Sequence, residues 1–191
     1  MAYPVQNIVP LIDFCWTVFL IYWLFKAFGN KKEIYKRQYL GLRILVLILA
    51  FLAAMLIAKH YRDSVILPYS AVTQIAGVLI CAFGVGWAIW ARAILGTNWS
   101  ARPTVKENHE LIQSGPYAIT RHPIYTGVIT ALLGTFLAVI PTWFGLGFLA
   151  MALVGFYFKI RLEERLMTQT FPEDYPAYKQ RVPAGLIPYI F

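Results

Sequence analysis

The chain has 191 residues, of which 59% are hydrophobic and 14% are charged, whereas soluble domains average about 45–50% apolar and about 25% charged residues. A water-soluble globule of this size cannot bury that much apolar surface, so the composition predicts an integral membrane protein. The formal net charge of +8 does not indicate a nucleic-acid-binding protein, because the basic residues lie between hydrophobic runs and form no single exposed basic face.

Five apolar runs are candidates for membrane spans, since one transmembrane helix needs about 20 apolar residues. In chain order they are residues 8–28, 42–58, 71–95, 124–140 and 143–158. The last two runs are short and are separated only by Pro141 and Thr142, which predicts a tight helical hairpin with one arm tilted or not fully crossing. We therefore predict an all-α integral membrane protein of about five transmembrane helices, with four spans as the alternative.

The basic residues predict the orientation of these helices. Fifteen of the 17 lie around the first connection, around the third connection or after the last run, and only Lys59 and Arg62 lie at the second connection. Under the positive-inside rule the larger group marks the cytoplasmic side. The N-terminus is then outside and the C-terminus inside, which requires an odd number of spans and favours five.

Two polar stretches, residues 96–123 and 159–191, are too long to be simple turns, and both fall on the predicted cytoplasmic side. Irregular backbone near a bilayer is tolerated where it is buried in protein or lines a cavity. We therefore expect the two stretches to fold against each other and to build a pocket for a polar cofactor. Residues 1–191 are then one membrane domain, in which 1–95 supply three spans and 96–191 form a catalytic half with the two-helix hairpin.

The densest cluster of functional side chains precedes and enters the fourth run. Residues 108–125 read Asn-His-Glu-Leu-Ile-Gln-Ser-Gly-Pro-Tyr-Ala-Ile-Thr-Arg-His-Pro-Ile-Tyr. The Gly115-Pro dipeptide predicts a turn, and Pro123 suits the first turn of the following helix because its missing N–H costs nothing there. Arg121 and His122 are thereby expected at the membrane surface on a defined helix start.

A second cluster follows the last apolar run. It consists of residues 159–165, Lys-Ile-Arg-Leu-Glu-Glu-Arg, and later of the Val-Pro-Ala-Gly-Leu-Ile-Pro segment at 182–188. If residues 159–165 are helical, Lys159 and Glu163 share a helix face, since they are four positions apart. The adjacent carboxylates of Glu163 and Glu164 at a membrane surface require partners.

The two clusters together resemble the isoprenylcysteine carboxyl methyltransferase family and its relatives among the membrane phospholipid methyltransferases. The resemblance covers roughly the C-terminal half, from residue 96 to residue 188. Its most specific elements are His109-x-Leu111-Ile112, Gly115-Pro116-Tyr117, Arg121-His-Pro-x-Tyr125, Glu163-Glu164, Phe171 and Tyr175-x-x-Tyr178. The first two predicted spans show no comparable match.

The resemblance implies a cytosolic pocket for S-adenosylmethionine with a lateral opening for a lipid-borne substrate. Carried over by motif, the residues that line the cofactor site are His109, Leu111, Ile112, Tyr117, His122, Pro123, Ile124, Tyr125 and Glu163. In the isoprenylcysteine enzymes a basic residue, usually Arg, stands four positions before the cofactor-binding Glu and faces the substrate. Here that position is Lys159, with Arg161 two residues later, and either cation can fill the role.

The residue types suit methyl transfer. Transfer from a sulfonium is an in-line displacement, and an acceptor carboxylate already carries its lone pair, so no general base is required and catalysis depends on positioning and desolvation. We expect Lys159 or Arg161, with Arg121, to hold an acceptor carboxylate, and Glu163 to bind the amine of the cofactor. If the acceptor is an amine, Glu164 is the candidate base.

Other functions stay open at this point. An NADPH-dependent reductase of sterols or other isoprenoids shares the Arg-His-Pro-x-Tyr element and a Val-Pro ending, although such enzymes are larger and have more spans. A phospholipid N-methyltransferase is a second alternative, and a non-catalytic scaffold or small transporter is a third, although the sequence has no internal repeat of the kind that indicates a transporter. The expected partners are membrane lipids and an isoprenoid or lipid-like substrate, and no nucleic acid is expected. No metal is expected either, since Gln113 stands where a zinc-protease helix needs its second His.

Overall fold

The structure is a computed structural model that describes residues 8–27, 65–68, 70–99 and 110–186. Within these ranges the α-helices are α1 (Val9–Ala27), α2 (Ala71–Leu95), α3 (Pro123–Val139), α4 (Trp143–Thr170) and α5 (Asp174–Arg181). Two short 3₁₀ helices, Gly96–Asn98 and Gly115–Ala118, lie between α2 and α3. An isolated β-bridge joins Val65 to Thr142. The helical character predicted from the sequence is confirmed.

Three helices in the described part of the chain are long and apolar enough to cross a membrane, namely Val9–Ala27, Ala71–Asn98 and Trp143–Thr170. They coincide with the first, third and fifth predicted runs. Helix α3 has 17 residues and a length of about 26 Å, slightly less than a hydrocarbon core of about 30 Å. The second predicted run, residues 42–58, lies outside the described residues, so the total of five spans stays a prediction.

Helix α4 is longer than the apolar run that predicts it. The run ends at Phe158, whereas the helix continues to Thr170 and has 28 residues. No Gly or Pro occurs between Phe156 and Phe171, and Lys, Arg, Glu and Leu are all good helix formers. The polar cluster after Phe158 therefore lies within three further turns of α4, and the helix gives each of its side chains a defined direction.

Helices α2 and α3 approach each other closely through glycines placed seven residues apart on each helix. A β-carbon added at Gly77 would lie 2.6 Å from the backbone nitrogen of Ala138, and one added at Gly127 would lie 2.6 Å from the carbonyl oxygen of Gly84. Ala131 on α3 is completely buried at this interface. The small residues of α3 therefore permit close approach of a neighbouring helix.

Helix α1 packs against α2 and α3 through an apolar cluster. Ile12 of α1 is buried in this cluster together with Cys81 and Val85 of α2. Trp16 Nε1 donates a hydrogen bond of 3.0 Å to Thr135 Oγ1 on α3. That bond satisfies the indole N–H within an otherwise apolar layer, where an unpaired donor is costly.

The turn between α3 and α4 is as tight as predicted. Helix α3 ends at Val139, and Thr142 caps α4 by accepting a hydrogen bond of 3.2 Å from the backbone N–H of Gly145. A glycine is required at 145, because a β-carbon there would collide with the carbonyl oxygen of Ile140. The short turn makes the helices antiparallel neighbours and returns the polar end of α4 to the start of α3.

The C-terminal segment packs on the start of α3, as expected for the two polar stretches. The backbone N–H of Arg121 donates to the carbonyl oxygen of Ala184 at 3.0 Å. From α5, the Tyr178 hydroxyl donates to the carbonyl oxygen of Tyr117 at 2.7 Å. The two stretches thus enclose a space between them, while its position on the cytoplasmic side stays a prediction.

Candidate functional site

A cavity lies where the two polar stretches meet the C-terminal end of α2, the start of α3 and the last turns of α4. Counted together with the open solvent at its mouth, its empty volume is about 820 Å³. Its walls are formed by Leu95, Asn98, Trp99, Glu110, Leu111, Ile112, Tyr117, Arg121, His122, Ile124, Tyr125, Glu163, Leu166, Met167, Tyr175 and Tyr178. Aromatic and aliphatic side chains predominate, which is typical of small-molecule sites.

The structure brings most of the predicted cofactor-binding residues to this cavity. Seven of them line it, namely Leu111, Ile112, Tyr117, His122, Ile124, Tyr125 and Glu163. Pro123 is buried as the first residue of α3 and shapes the helix start. His109 lies outside the described residues.

The predicted catalytic residues divide between two surfaces. Arg121 lines the cavity, and Lys159 Nζ lies 5.1 Å from the ring centroid of the cavity residue Tyr125. A separate surface depression is lined by Arg161, Glu164, Arg165, Thr168, Gln169 and Lys179.

Several cavity residues are not predicted by the sequence motifs. Leu166 and Met167 follow Glu163 by three and four positions. Residues at this spacing share a face of an α-helix, so the position of Glu163 predicts that both lie on the cavity side. Asn98 and Trp99 lie in the 3₁₀ turn after α2 and just beyond it. Their only sequence signal is that the family resemblance begins at this turn.

A tight turn and two prolines place Tyr117 and His122. Gly115 has a φ of +60°, which favours glycine, and Pro116 is the second residue of the 3₁₀ helix that carries Tyr117. Pro123 opens α3, and His122 is the residue immediately before the first helical position. Both side chains therefore start from backbone whose conformation is restricted by its neighbours.

Glu163 supplies a negative charge to the cavity. Its Oε1 accepts a hydrogen bond of 2.6 Å from the Tyr125 hydroxyl, and its Oε2 lies 3.6 Å from His122 Nδ1. The Tyr125 ring stacks on Phe156 of α4, with the ring centroids 4.8 Å apart. The Glu163 side chain remains 20% exposed, so the carboxylate is oriented by its neighbours and still open to the cavity.

Glu164, the next residue of α4, contacts different partners. Arg121 Nε donates to its Oε1 at 2.7 Å, and Lys179 Nζ donates to its Oε2 at 2.9 Å. The same guanidinium donates from Nη1 to the carbonyl oxygens of Val182 and Pro183 at 2.7 and 2.6 Å. Arg121 and Glu164 together tie α4 and the start of α3 to the C-terminal segment.

His122 lies between the two carboxylates, with Nδ1 3.6 Å from Glu163 and Nε2 3.6 Å from Glu164. Burial by itself lowers the pKa of His122, but the nearby carboxylates of Glu163 and Glu164 outweigh it and raise the pKa above its ordinary value. The imidazolium form is therefore favoured. In the described ranges no group of three or more His, Cys, Asp or Glu side chains is placed to hold a metal ion.

Lys159 and Arg161 point to opposite sides of α4, since residues two apart on an α-helix differ by about 200° around the axis. Lys159 lies over the ring of Tyr125. The guanidinium carbon of Arg161 lies 5.7 Å from the ring centroid of Tyr157. Of these two cations, Lys159 is thus the one next to a residue of the cavity wall, and Arg161 lines the separate depression.

The model of the isoprenylcysteine carboxyl methyltransferase (ICMT) family matches residues 77–169 of the chain. The matched segment contains most of α2, all of α3 and nearly all of α4. It therefore includes His122, Tyr125 and Glu163, whereas α1 and α5 lie outside it.

The chain is similar to curated proteins named protein-S-isoprenylcysteine O-methyltransferase. The relative B from Arabidopsis thaliana is 28% identical in an alignment of 158 positions that covers 73% of this chain and 79% of the relative. The relative from Saccharomyces cerevisiae is 29% identical over 68% of this chain and 56% of its own length. The relative from Homo sapiens is 30% identical over 61% of this chain and 42% of its own length. The chain thus spans most of the plant relative and about half or less of the other two.

A solved structure, that of the eukaryotic intramembrane Ras methyltransferase ICMT, has a similar fold. It aligns with a TM-score of 0.59 and 21% sequence identity, over 81% of this chain and 55% of that chain. The likeness at this identity concerns the arrangement of the helices.

Proposed function

We propose that this chain is a member of the isoprenylcysteine carboxyl methyltransferase family and that it is a membrane enzyme that uses S-adenosylmethionine to methylate the carboxylate of a lipid-borne acid. An isoprenylated cysteine or an analogue of it is the proposed acceptor. The observation that carries the proposal is the Glu163 carboxylate, which Tyr125 and His122 orient within a largely aromatic and aliphatic cavity.

The cavity residues fit the parts of S-adenosylmethionine. Glu163 offers a carboxylate for the amino group of the cofactor, because charge-assisted hydrogen bonds to carboxylates are strong and directional. Trp99 and Tyr117 offer aromatic rings for its planar base, and Leu111 and Ile112 offer apolar wall. Burial raises the pKa of Tyr117, so its hydroxyl stays a neutral donor at physiological pH.

When bound, S-adenosylmethionine supplies an electrophilic methyl group on a sulfonium. The task of the chain is then to orient the acceptor and to exclude water, since a carboxylate nucleophile needs no base. We assign the acceptor carboxylate to Lys159, because this cation lies over Tyr125, a residue of the cavity wall. The stacked rings of Tyr125 and Phe156 provide an apolar surface next to Lys159 that excludes water.

Arg121 and Glu164 are proposed as positioning residues. Their mutual ion pair and the bonds from Arg121 to Val182 and Pro183 hold the C-terminal segment against the cavity. Because Glu164 already accepts hydrogen bonds from Arg121 and Lys179, it is poorly placed to take a proton from an amine. This arrangement favours a carboxylate acceptor over a phospholipid amine.

Titration of the purified protein in detergent with S-adenosylhomocysteine and with NADPH tests the proposed cofactor. We expect saturable binding of S-adenosylhomocysteine and none of NADPH. Binding of NADPH alone would favour the reductase alternative and overturn the methyltransferase assignment.

The acceptor assignment is tested by comparing Lys159→Gln with the matched variant Arg161→Gln in a methyl-transfer assay with a prenylated cysteine analogue. Lys159→Gln is expected to lower kcat/KM for the acceptor by about 10- to 100-fold, because a charged hydrogen bond contributes about 1.5–3 kcal/mol. Its affinity for S-adenosylhomocysteine and the activity of Arg161→Gln are expected to stay near wild type. The reverse pattern would assign the acceptor to Arg161.

A further inference from the structure

Arg92 is a buried cation in an apolar helix, and the proposed reaction gives it no task. It lies in the last turn of α2 and is only 1% exposed. The segment that carries it, Ala71–Asn98, is apolar enough to cross a membrane. Ionisable residues in such segments are costly to bury and therefore usually have a function.

The guanidinium joins three parts of the chain. Arg92 Nη1 donates to the carbonyl oxygen of Gly96 at 2.6 Å, at the C-terminal end of its own helix. Nη2 donates to the carbonyl oxygen of Lys26 at 3.1 Å, in the last turn of α1. Its central carbon lies 4.7 Å from the ring centroid of Trp99, which is a cation–π distance.

Trp99 connects this cluster to the cavity. The indole ring lines the cavity together with Leu95 and Asn98. It also contacts Trp23 of α1 edge to face, with ring centroids 6.1 Å apart. The ring is thus held from α1 by Trp23 and from α2 by Arg92, and the position of the cavity wall depends on both contacts.

We infer that Arg92 is a positioning residue for the methyl-donor site. Arg92 fixes the Trp99 ring, and this ring forms a wall against the planar base of the donor. This inference rests on the proposed function. It also gives α1, which lies outside the segment matched by the family model, a defined contribution to the site: the carbonyl oxygen of Lys26 and the ring of Trp23 complete the support of Trp99.

The test is a double-mutant cycle between Arg92 and Trp99, with the affinity for S-adenosylhomocysteine measured calorimetrically in detergent. Arg92→Met is expected to weaken binding about tenfold, and Trp99→Leu at least as much, because a ring that is no longer fixed must be ordered on binding. In the Trp99→Leu background, Arg92→Met should cost less than about twofold, since residues that act through one another are non-additive.

Lys26→Met is the matched control, because it removes a charge from the end of α1 but keeps the carbonyl oxygen that Arg92 binds. Its affinity should equal that of the wild type. If Arg92→Met does not fold, the same cycle is run with Arg92→Lys, which keeps the charge but loses the two-pronged contact. A purely structural role of Arg92 would lower the melting temperature without this dependence on Trp99.

The inference would be overturned if Arg92→Met bound S-adenosylhomocysteine as tightly as the wild type. It would also be overturned if the substitution cost the same affinity with and without the Trp99 ring. In both cases binding by the wild type would leave the proposed function intact. Failure of the wild type to bind S-adenosylhomocysteine would overturn the proposed function and this inference with it.

Discussion

Two consecutive glutamates on α4 have different partners because successive residues of an α-helix point about 100° apart. Glu163 faces the cavity, where the Tyr125 hydroxyl bonds to it. Glu164 faces the C-terminal segment and accepts from Arg121 and Lys179. His122 lies between them and contacts both. The sequence predicts that both carboxylates need partners, and the structure assigns the partners.

Replacing Glu163 tests whether its carboxylate binds the cofactor. Glu163→Ala is expected to lower the affinity for S-adenosylhomocysteine by at least about 100-fold, because a charged hydrogen bond of about 3 kcal/mol is lost. Isothermal titration in detergent measures this. Glu173→Ala, which removes an exposed carboxylate just before α5, is the control and should bind as the wild type does. Wild-type affinity in Glu163→Ala would show that the assignment is wrong.

The charge of His122 predicts a pH dependence of stability. Because the folded state raises the pKa of His122 above its ordinary value, its contribution is present in full below the unfolded-state pKa of about 6.5. That contribution is lost as the pH rises through the folded-state pKa. Thermal unfolding between pH 6 and pH 8 should therefore show a larger fall in melting temperature for the wild type than for His122→Gln. Parallel curves would contradict a protonated His122 between the carboxylates.

Among the helices, the packed pair α2 and α3 sets the positions of two sides of the cavity. Gly77, Gly84 and Gly127 bring the two backbones into contact, and this contact fixes the C-terminal end of α2 relative to the start of α3. The cavity residues Leu95 and Tyr125 lie at those two ends. The distance across the cavity therefore depends on a glycine contact that starts two residues beyond Tyr125 and continues along both helices.

Two glycines of α2 provide a matched test of this contact. Gly84→Leu is expected to destabilise the protein by about 3 kcal/mol or to prevent folding, because overpacking at a backbone contact forces the helices apart. Gly86→Leu adds the same side chain two residues away, where a β-carbon meets no atom within 4 Å. Its melting temperature in detergent should stay close to that of the wild type. Equal effects of the two substitutions would rule out a special role of the glycine contact.

For the whole molecule, the basic residues predict the side of the membrane on which the site operates. Fifteen of the 17 lie on the side predicted to be cytoplasmic. The cavity is built from segments that belong to this side, including the start of α3 and the C-terminal segment. We therefore propose that the enzyme takes up its methyl donor from the cytoplasm.

Epitope tags at the two ends test this orientation. In sealed, right-side-out vesicles, external protease should remove an N-terminal tag and leave a C-terminal tag intact, because an odd number of spans separates them. Permeabilised vesicles are the control, and both tags should be cleaved in them. Protection of both ends would indicate an even number of spans, and cleavage of the C-terminal tag alone would invert the orientation.

Local sequence patterns are enough to predict the membrane class, the positions of α1, α2, α3 and the start of α4, and the cluster that supplies most of the cavity. These features depend on hydropathy, turn residues and local spacing, which act within a few residues of the chain. The tight turn at Pro141 and Thr142 is such a local feature, and the structure confirms it.

Which side chains face the cavity depends on how the helices pack. The tertiary structure places Lys159 by Tyr125 and Arg161 by Tyr157, and it extends α4 beyond its apolar run. It also brings Arg92, which reads in the sequence only as a basic residue at the end of a span, onto Trp99. The physical reason is that the face a helix turns toward its neighbour depends on contacts between segments far apart in the chain, and local patterns carry no information about those contacts.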